Sequence, residues 1–248
     1  MSPSTEVREN REFASEIKFL VSTALADQIR DWARSRLAPD PNAGDAVDAY
    51  RVTSLYFDTD QFDVFHRKGS FGRSKYRVRR YGQSEFAFLE RKLKSRGLLS
   101  KRRSTVRLDE LERLANADPE RFWSGYWFHR RLLARGLEAR CQISYHRTAR
   151  VAMTQNGPIR LTLDANLCAL PATGLWFSEQ DGASILEHQS ILELKFRCEM
   201  PTLFKYLVEE FALNTQPFSK YRLAAAALGV VAGTSNANGS RSLAPHYA

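Results

Sequence analysis

The sequence predicts one α+β domain built on an antiparallel sheet that can close into a barrel. Three observations predict it. Segments alternating apolar and polar residues recur between residues 13 and 197, the period of strands with two unlike faces. Segments with the 3.6-residue period of an amphipathic helix are inserted between them, as in a sheet and helices sharing one core. No Pro/Gly-rich linker of domain-separating length and no internal repeat divides the middle of the chain. The expected organisation is a flexible tail at 1–10, a single domain at 11–231 and a second flexible tail at 232–248, a stretch rich in Gly, Ser, Asn and Ala.

The elements follow in order. Residues 13–21 (FASEIKFLV) form a first strand, and 23–37 an amphipathic helix capped by Ser22 or Thr23, whose hydroxyl can accept a free backbone amide. A strand at 50–58 and a helical turn at 60–67 come next. Three basic strands follow at 73–81, 85–94 and 99–108, then helical segments at 109–116 and 119–135. Strands resume at 139–151, 158–165 and 190–197. A helix at 201–213 carries Pro201 in its first turn, where a missing N–H costs nothing. A last helix spans 218–230.

Composition narrows the function classes. The chain has 248 residues, 43% hydrophobic and 26% charged, which is ordinary for a globular domain. No apolar run reaches the roughly 18 residues of a membrane-spanning helix, and Met1 to Glu12 lacks the apolar stretch of a signal peptide. A cytoplasmic protein with no membrane span is therefore expected. The formal charge of +9 favours polyanionic partners. Cys141, Cys168 and Cys198 are far apart and show no zinc-ligand spacing, so they read as reduced, mostly packed thiols. No H-E-x-x-H, G-x-S-x-G, Walker A or G-x-G-x-x-G pattern occurs, which argues against zinc protease, serine hydrolase, P-loop and dinucleotide chemistry.

The chemistry-bearing signal is in the strands. Neighbouring side chains point to opposite faces, so Glu16 and Lys18 share a face, as do Lys75, Arg77 and Arg79. Glu90, Lys92 and Lys94 share another, and so do Tyr145 and Arg147, then Arg160, Thr162 and Asp164, then Glu193 and Lys195. A one-sided wet sheet gives the same alternation. Two features pull against it. Residues 66–107 hold fifteen Lys and Arg against two acids, Glu85 and Glu90, whereas a plain surface sheet mixes signs because like charges on adjacent strands repel. The acids Glu16, Glu90, Asp164 and Glu193 recur on the cationic faces, and hard carboxylate oxygens among cations suit a Mg²⁺ or Mn²⁺ phosphate site. If the sheet closes, these charges line a lumen.

Eight segments in order resemble the vacuolar transporter chaperone (VTC) domain, the polyphosphate polymerase branch of the triphosphate tunnel metalloenzyme superfamily, across about residues 12–229. They are EIKF at 16–19, TSLYFD at 53–58, KYRVRRY at 75–81, FLERK at 88–92, SYHRTA at 144–149, IRLTLD at 159–164, ILELKF at 191–196 and FSKY at 218–221. The resemblance implies a closed, eight-stranded antiparallel tunnel that binds a triphosphate and a divalent metal, with polyphosphate synthesis from ATP as the activity. Carried over by position, Lys18, Arg77, Arg79, Lys92, Arg147, Arg160, Lys195 and Lys220 would hold phosphoryl oxygens, and Tyr145 and Ser219 would add hydrogen bonds. Glu193 would lead a metal set helped by Glu16 and Glu90.

Each of these residues has a structural alternative. Ser219 and Lys220 could simply begin a helix, Tyr145 could be a core tyrosine, and Glu90 could hold Lys92 or Arg79 in place. Asp164 could cap a strand end. Lys94, Lys101, Arg102 and Arg103 either extend the basic path at a tunnel mouth or form a charged edge that discourages aggregation. The chain shows no N-terminal helical regulatory segment like that of the polymerase members, so polymer synthesis is expected more than translocation across a membrane. An inorganic or nucleoside triphosphatase and a non-catalytic polyphosphate sensor are the alternatives. Nucleic-acid binding is disfavoured, because Phe86 and Phe88 share a face with Glu90 and no nucleic-acid module is recognisable.

Overall fold

The computed structural model describes residues 15–41, 48–95 and 98–231; the expected tails at 1–10 and 232–248 lie outside them. Ten strands and five α-helices are described in the order β1 (Ser15–Ser22), α1 (Thr23–Arg36), β2 (Ala38–Pro39), β3 (Ala49–Asp58), α2 (Asp63–His66), β4 (Ser74–Tyr81), β5 (Phe86–Ser95), β6 (Leu98–Arg107), α3 (Tyr126–Leu133), β7 (Glu138–Thr154), β8 (Gly157–Pro171), β9 (Ala183–Ser184), β10 (Gln189–Phe196), α4 (Thr202–Glu210) and α5 (Lys220–Ala227). Short 3₁₀ segments lie at Gly69–Arg73 and Leu108–Ala115.

The long strands form one antiparallel sheet in the order β1-β10-β8-β7-β3-β4-β5-β6, with β2 added to β7 and β9 to β8. The eight expected long strands are present, but the barrel is not closed by hydrogen bonds: among the described residues no backbone pairing joins β1 to β6. The segment before α5 occupies the free edge of β1 instead. Phe19 bridges Thr215, and the Gln216 amide donates to the Lys18 carbonyl at 3.0 Å. An edge already hydrogen-bonded on both sides cannot accept another strand.

Two apolar cores pack against the sheet, the first on its outer side and the second reaching both faces. One places Ala26, Ile29, Trp32 and Ala33 of α1 and Phe204 and Leu207 of α4 against Phe19, Leu161, Leu163, Leu192 and Leu194. Their spacing on α1 makes a single buried helical stripe, and each large side chain removed from water contributes about 1.5–3 kcal/mol. The other gathers Val78, Leu89, Val106, Phe128, Leu132 and Tyr221. Helices α1, α3 and α4 therefore cover the outside of the strands, while α5 stacks Tyr221 on the inward Tyr56 and sets Lys220 among the charged groups that face inward.

Local chemistry sets most boundaries. Ser22 caps α1, its Oγ accepting from the Leu25 amide at 3.2 Å. The helix expected at 119–135 is confined to α3: the Trp123 ring folds against Gly125, where any β-carbon would collide with it, so helix begins only after that glycine. Pro201 stands one residue before α4 in an extended conformation, φ −63° and ψ 151°, as its cap. β8 runs past its expected end because Asn166 adopts φ 53° beside a shift in register between β7 and β8, which lets the strand continue through a turn-like residue. The three thiols are free, but only Cys141 is buried, while Cys198 is exposed.

Candidate active site

Strand register decides which charges meet. Arg77 lies opposite Tyr56 and Glu90, and Arg79 opposite Ser54 and Phe88. Arg147 lies opposite Asp164, Glu193 between Lys18 and Thr162, and Lys195 between Glu16 and Arg160. The curl of the sheet turns these faces toward one another. Lys92 of β5 reaches Glu16 of β1, Nζ to Oε2, at 3.1 Å.

Three carboxylate centres organise the cations. Glu90, 2% exposed, accepts from Arg77 Nε at 2.6 Å, Arg103 Nη2 at 2.6 Å and Lys101 Nζ at 3.2 Å. Burial alone would raise its pKa, but Arg77 and Lys101 hold it well below the usual carboxylate range. Asp164 is fully buried. It takes both prongs of the Arg147 guanidinium, at 2.6 and 2.7 Å, and Lys220 Nζ at 2.7 Å. The third centre is the pair Glu16 and Glu193. Lys18 Nζ lies 2.9 Å from Glu16 Oε1 and 3.4 Å from Glu193 Oε1, while Lys195 and Lys220 approach Glu193 at 3.3 and 3.0 Å. Burial and the nearby Glu193 would raise Glu16, but Lys195, Lys18 and Lys92 keep it lowered.

Other expected groups take definite places. Arg79 donates to Ser54 Oγ at 3.0 Å and to the Tyr145 hydroxyl at 3.1 Å. Tyr145 is buried, and Lys220 and Arg147 lie 5.2 Å from its ring centre, so it orients cations from within the wall. Ser219 caps α5 through the Arg222 amide and also accepts from Lys75 Nζ at 2.8 Å. Arg160 turns aside to Asp40 and, at 3.4 Å, to the Tyr50 hydroxyl. Lys94 lies on β5, with its side chain outside the described residues.

The structure brings Lys18, Arg77, Arg79, Lys92, Arg147, Lys195 and Lys220 to one interior. Glu90 holds Arg77, Arg103 and Lys101, not the Lys92 or Arg79 that its position suggested. Among the described residues no group of three or more His, Cys, Asp or Glu gathers as a metal-ligand set, so Glu90 does not complete a trio with Glu16 and Glu193. The cations around it draw its oxygens elsewhere.

Several interior residues were not among the expected binders. Alternation places Lys75 on the face of Arg77 and Arg79, and Lys101 and Arg103 belong to the basic path read from the sequence, though the resemblance assigns none of them a phosphoryl oxygen. Tyr56, whose hydroxyl accepts from Arg77 at 3.2 Å, occupies an alternating position two residues after Ser54. Asp58 carries no such signal. It accepts from the Thr59, Val64 and Phe65 amides at 2.8–2.9 Å and from the Tyr221 hydroxyl at 2.6 Å. That contact moors α5, and so Ser219 and Lys220, to the end of β3.

The family model of the VTC domain matches residues 13–229. The chain belongs to the VTC domain family. Comparison with curated proteins finds no match. Among solved structures, a protein described as a candidate adenylate cyclase from Bacillus halodurans shares the fold at a TM-score of 0.52 and 16% identity, over 82% of this chain and 92% of that one. A Hippeastrum protein, described as a candidate adenylyl cyclase with a dominant triphosphatase activity, aligns at a TM-score of 0.49 and 14% identity, over 86% and 95%. The basic interior of this VTC domain fits a divalent ion in part. Glu16 and Glu193 are held ionised, but their oxygens face Lys18, Lys92, Lys195 and Lys220, so an ion bound there would have to displace an ammonium and take its remaining ligands from substrate phosphates.

Proposed function

We propose that the protein is a metal-dependent phosphotransferase that takes the terminal phosphoryl group from ATP or another triphosphate and adds it to a growing polyphosphate chain inside the basic interior. The observation that carries this reading is the convergence of cations from β1, β4, β5, β7, β10 and α5 on one interior, each held by a carboxylate, hydroxyl or ring. Phosphoryl transfer asks chiefly for positioning and charge neutralisation.

In this reading Arg77, Arg79 and Arg147 grip phosphoryl oxygens in fixed orientations, since their guanidiniums are already anchored on one side. Lys18, Lys92, Lys195 and Lys220 supply mobile point charges. The bond between the β–γ bridging oxygen and the γ phosphorus breaks, and the terminal oxygen of the chain forms the new bond. That oxygen is ionised near neutral pH, its last ionisation lying near pH 6 by analogy with phosphate esters, so no general base is required. Glu16 and Glu193 would hold Mn²⁺ or Mg²⁺, which would offset charge on the leaving group.

The test is incubation of the purified protein with ATP and Mn²⁺, with product length read on a gel. A ladder of long polyphosphate is expected. Release of orthophosphate alone makes it a triphosphatase, and tight binding without turnover makes it a sensor.

A further inference from the structure

Outside the basic interior, β6 and α3 enclose a groove of about 370 Å³ lined by Arg102, Tyr126, Trp127, Arg130, Arg131 and Ala134. No acid is in this lining. Residues 121–137 carry four arginines and neither Asp nor Glu. Helix α3 buries Phe128, His129 and Leu132 against the core, and its spacing leaves Tyr126 with Arg130 and Trp127 with Arg131 as i, i+4 neighbours on the groove side.

The groove is ordered by its rings. The Arg102 guanidinium lies 4.5 Å from the Trp127 ring centre and that of Arg130 5.5 Å from Tyr126. Trp127 is itself tied to β6, its Nε1 donating to Ser104 Oγ at 2.6 Å. Stacking on Tyr126 fixes the Arg130 guanidinium without cancelling its charge. Arg91 stands directly opposite Arg102 in the β5–β6 register, a like-charge pairing that a sheet ordinarily avoids.

This groove begins one residue from the interior. Lys101 and Arg103 reach Glu90 on the inner face, and Arg102 between them points to the outer face. Strand β6 also ends the sheet path. An anionic chain rounding this edge passes from inner to outer cations without crossing the apolar core.

We propose that the β6–α3 groove is a second polyanion site, and that it holds a linear chain of linked phosphoryl groups where the chain leaves the interior. The proposal rests on the triphosphate reading of the interior. Interior charges cannot hold the emerging chain, because at physiological ionic strength their field is screened beyond about 8 Å. Two sites joined by one chain make the second contact intramolecular, which strengthens binding by roughly 10²–10⁴-fold.

The experiment compares tripolyphosphate with long-chain polyphosphate on the full chain at 0.15 M salt, a condition of about 8 Å screening. The wild type should bind the long chain about 100-fold or more tighter. In Arg130→Gln/Arg131→Gln that advantage should shrink about tenfold or more while the dissociation constant for tripolyphosphate stays put, about the loss expected for two phosphate contacts. Arg131 is exposed, so Arg131→Glu alone should keep the melting temperature and still weaken the long chain. A long-chain advantage that survives both variants overturns the groove. So does single-stranded RNA of matched charge that outcompetes polyphosphate there. If the wild type binds no tripolyphosphate, the interior reading fails, and the groove stands or falls on whether the variants weaken the long chain.

Discussion

Lys92 on β5 and Glu16 on β1 meet at 3.1 Å although five strands separate them along the sheet. Charge joins two parts of the wall that the backbone leaves unpaired. The Lys92 side chain is 41% exposed, and such pairs contribute only about 0–1 kcal/mol to stability. The contact is better understood as placing a cation and a carboxylate across the same space.

Lys92→Met should therefore change global stability by less than about 1 kcal/mol and raise the dissociation constant for tripolyphosphate roughly tenfold, about 1.4 kcal/mol. Thermal melts and titration calorimetry check the two halves. A loss of several kcal/mol with unchanged affinity would mean that the pair is a structural clasp.

The crowding of cations makes a pH prediction. Burial, then Lys18, Lys92, Arg67 and Arg77, push the Lys75 ammonium down to about 7. For Lys195, burial outweighs the pull of Glu193 and Glu16, and the pKa falls to about 8. An unfolded lysine titrates near 10.5. Between about pH 7 and 10.5 the unfolded chain binds more protons than the folded one, so the stability of the ligand-free protein should rise with pH across that window. Lys75 is exposed to solvent, which screens its charge, so Lys195 carries most of the effect. An anion seated beside these amines favours their charged forms. Tripolyphosphate binding at pH 8 should then take up protons, and affinity should fall from pH 7 to 9. Calorimetry in two buffers of different ionisation enthalpy measures the uptake; none at pH 8 would refute the placement of these lysines against the ligand.

The inward set of Lys18, Arg147 and Lys195 was legible in the sequence because a strand period of two is imposed by backbone geometry and survives any register. Closure was not legible. Whether β1 can pair with β6 depends on Thr215 and Gln216, which reach the β1 edge from a segment that looks like an ordinary loop. Glu90 was half legible: its face was correct, but its partners depend on β6 lying alongside β5, which brings Arg103 into reach. Asp58 was invisible as an anchor, since a carboxylate accepting backbone amides leaves no period and no motif.

The carboxylates should divide under mutation. Glu16 and Glu193 share Lys18 and stand together; Glu90 is tied to Arg77, Lys101 and Arg103, and Asp164 to Arg147 and to Lys220, which it shares with Glu193. Glu16→Gln and Glu193→Gln should raise the Mn²⁺ concentration needed for half-maximal turnover, because each removes a hard oxygen from the pair. Glu90→Gln should leave that requirement near wild type, since its oxygens face Arg77, Arg103 and Lys101. Asp164→Asn should leave the metal requirement unchanged and cost about 3–5 kcal/mol of stability, because Arg147 and Lys220 would remain buried with one charged partner removed. Manganese titrations of turnover together with denaturant melts on the four variants separate the roles. A shifted metal requirement in Glu90→Gln, equal to that of Glu193→Gln, would return Glu90 to the metal set and overturn the division.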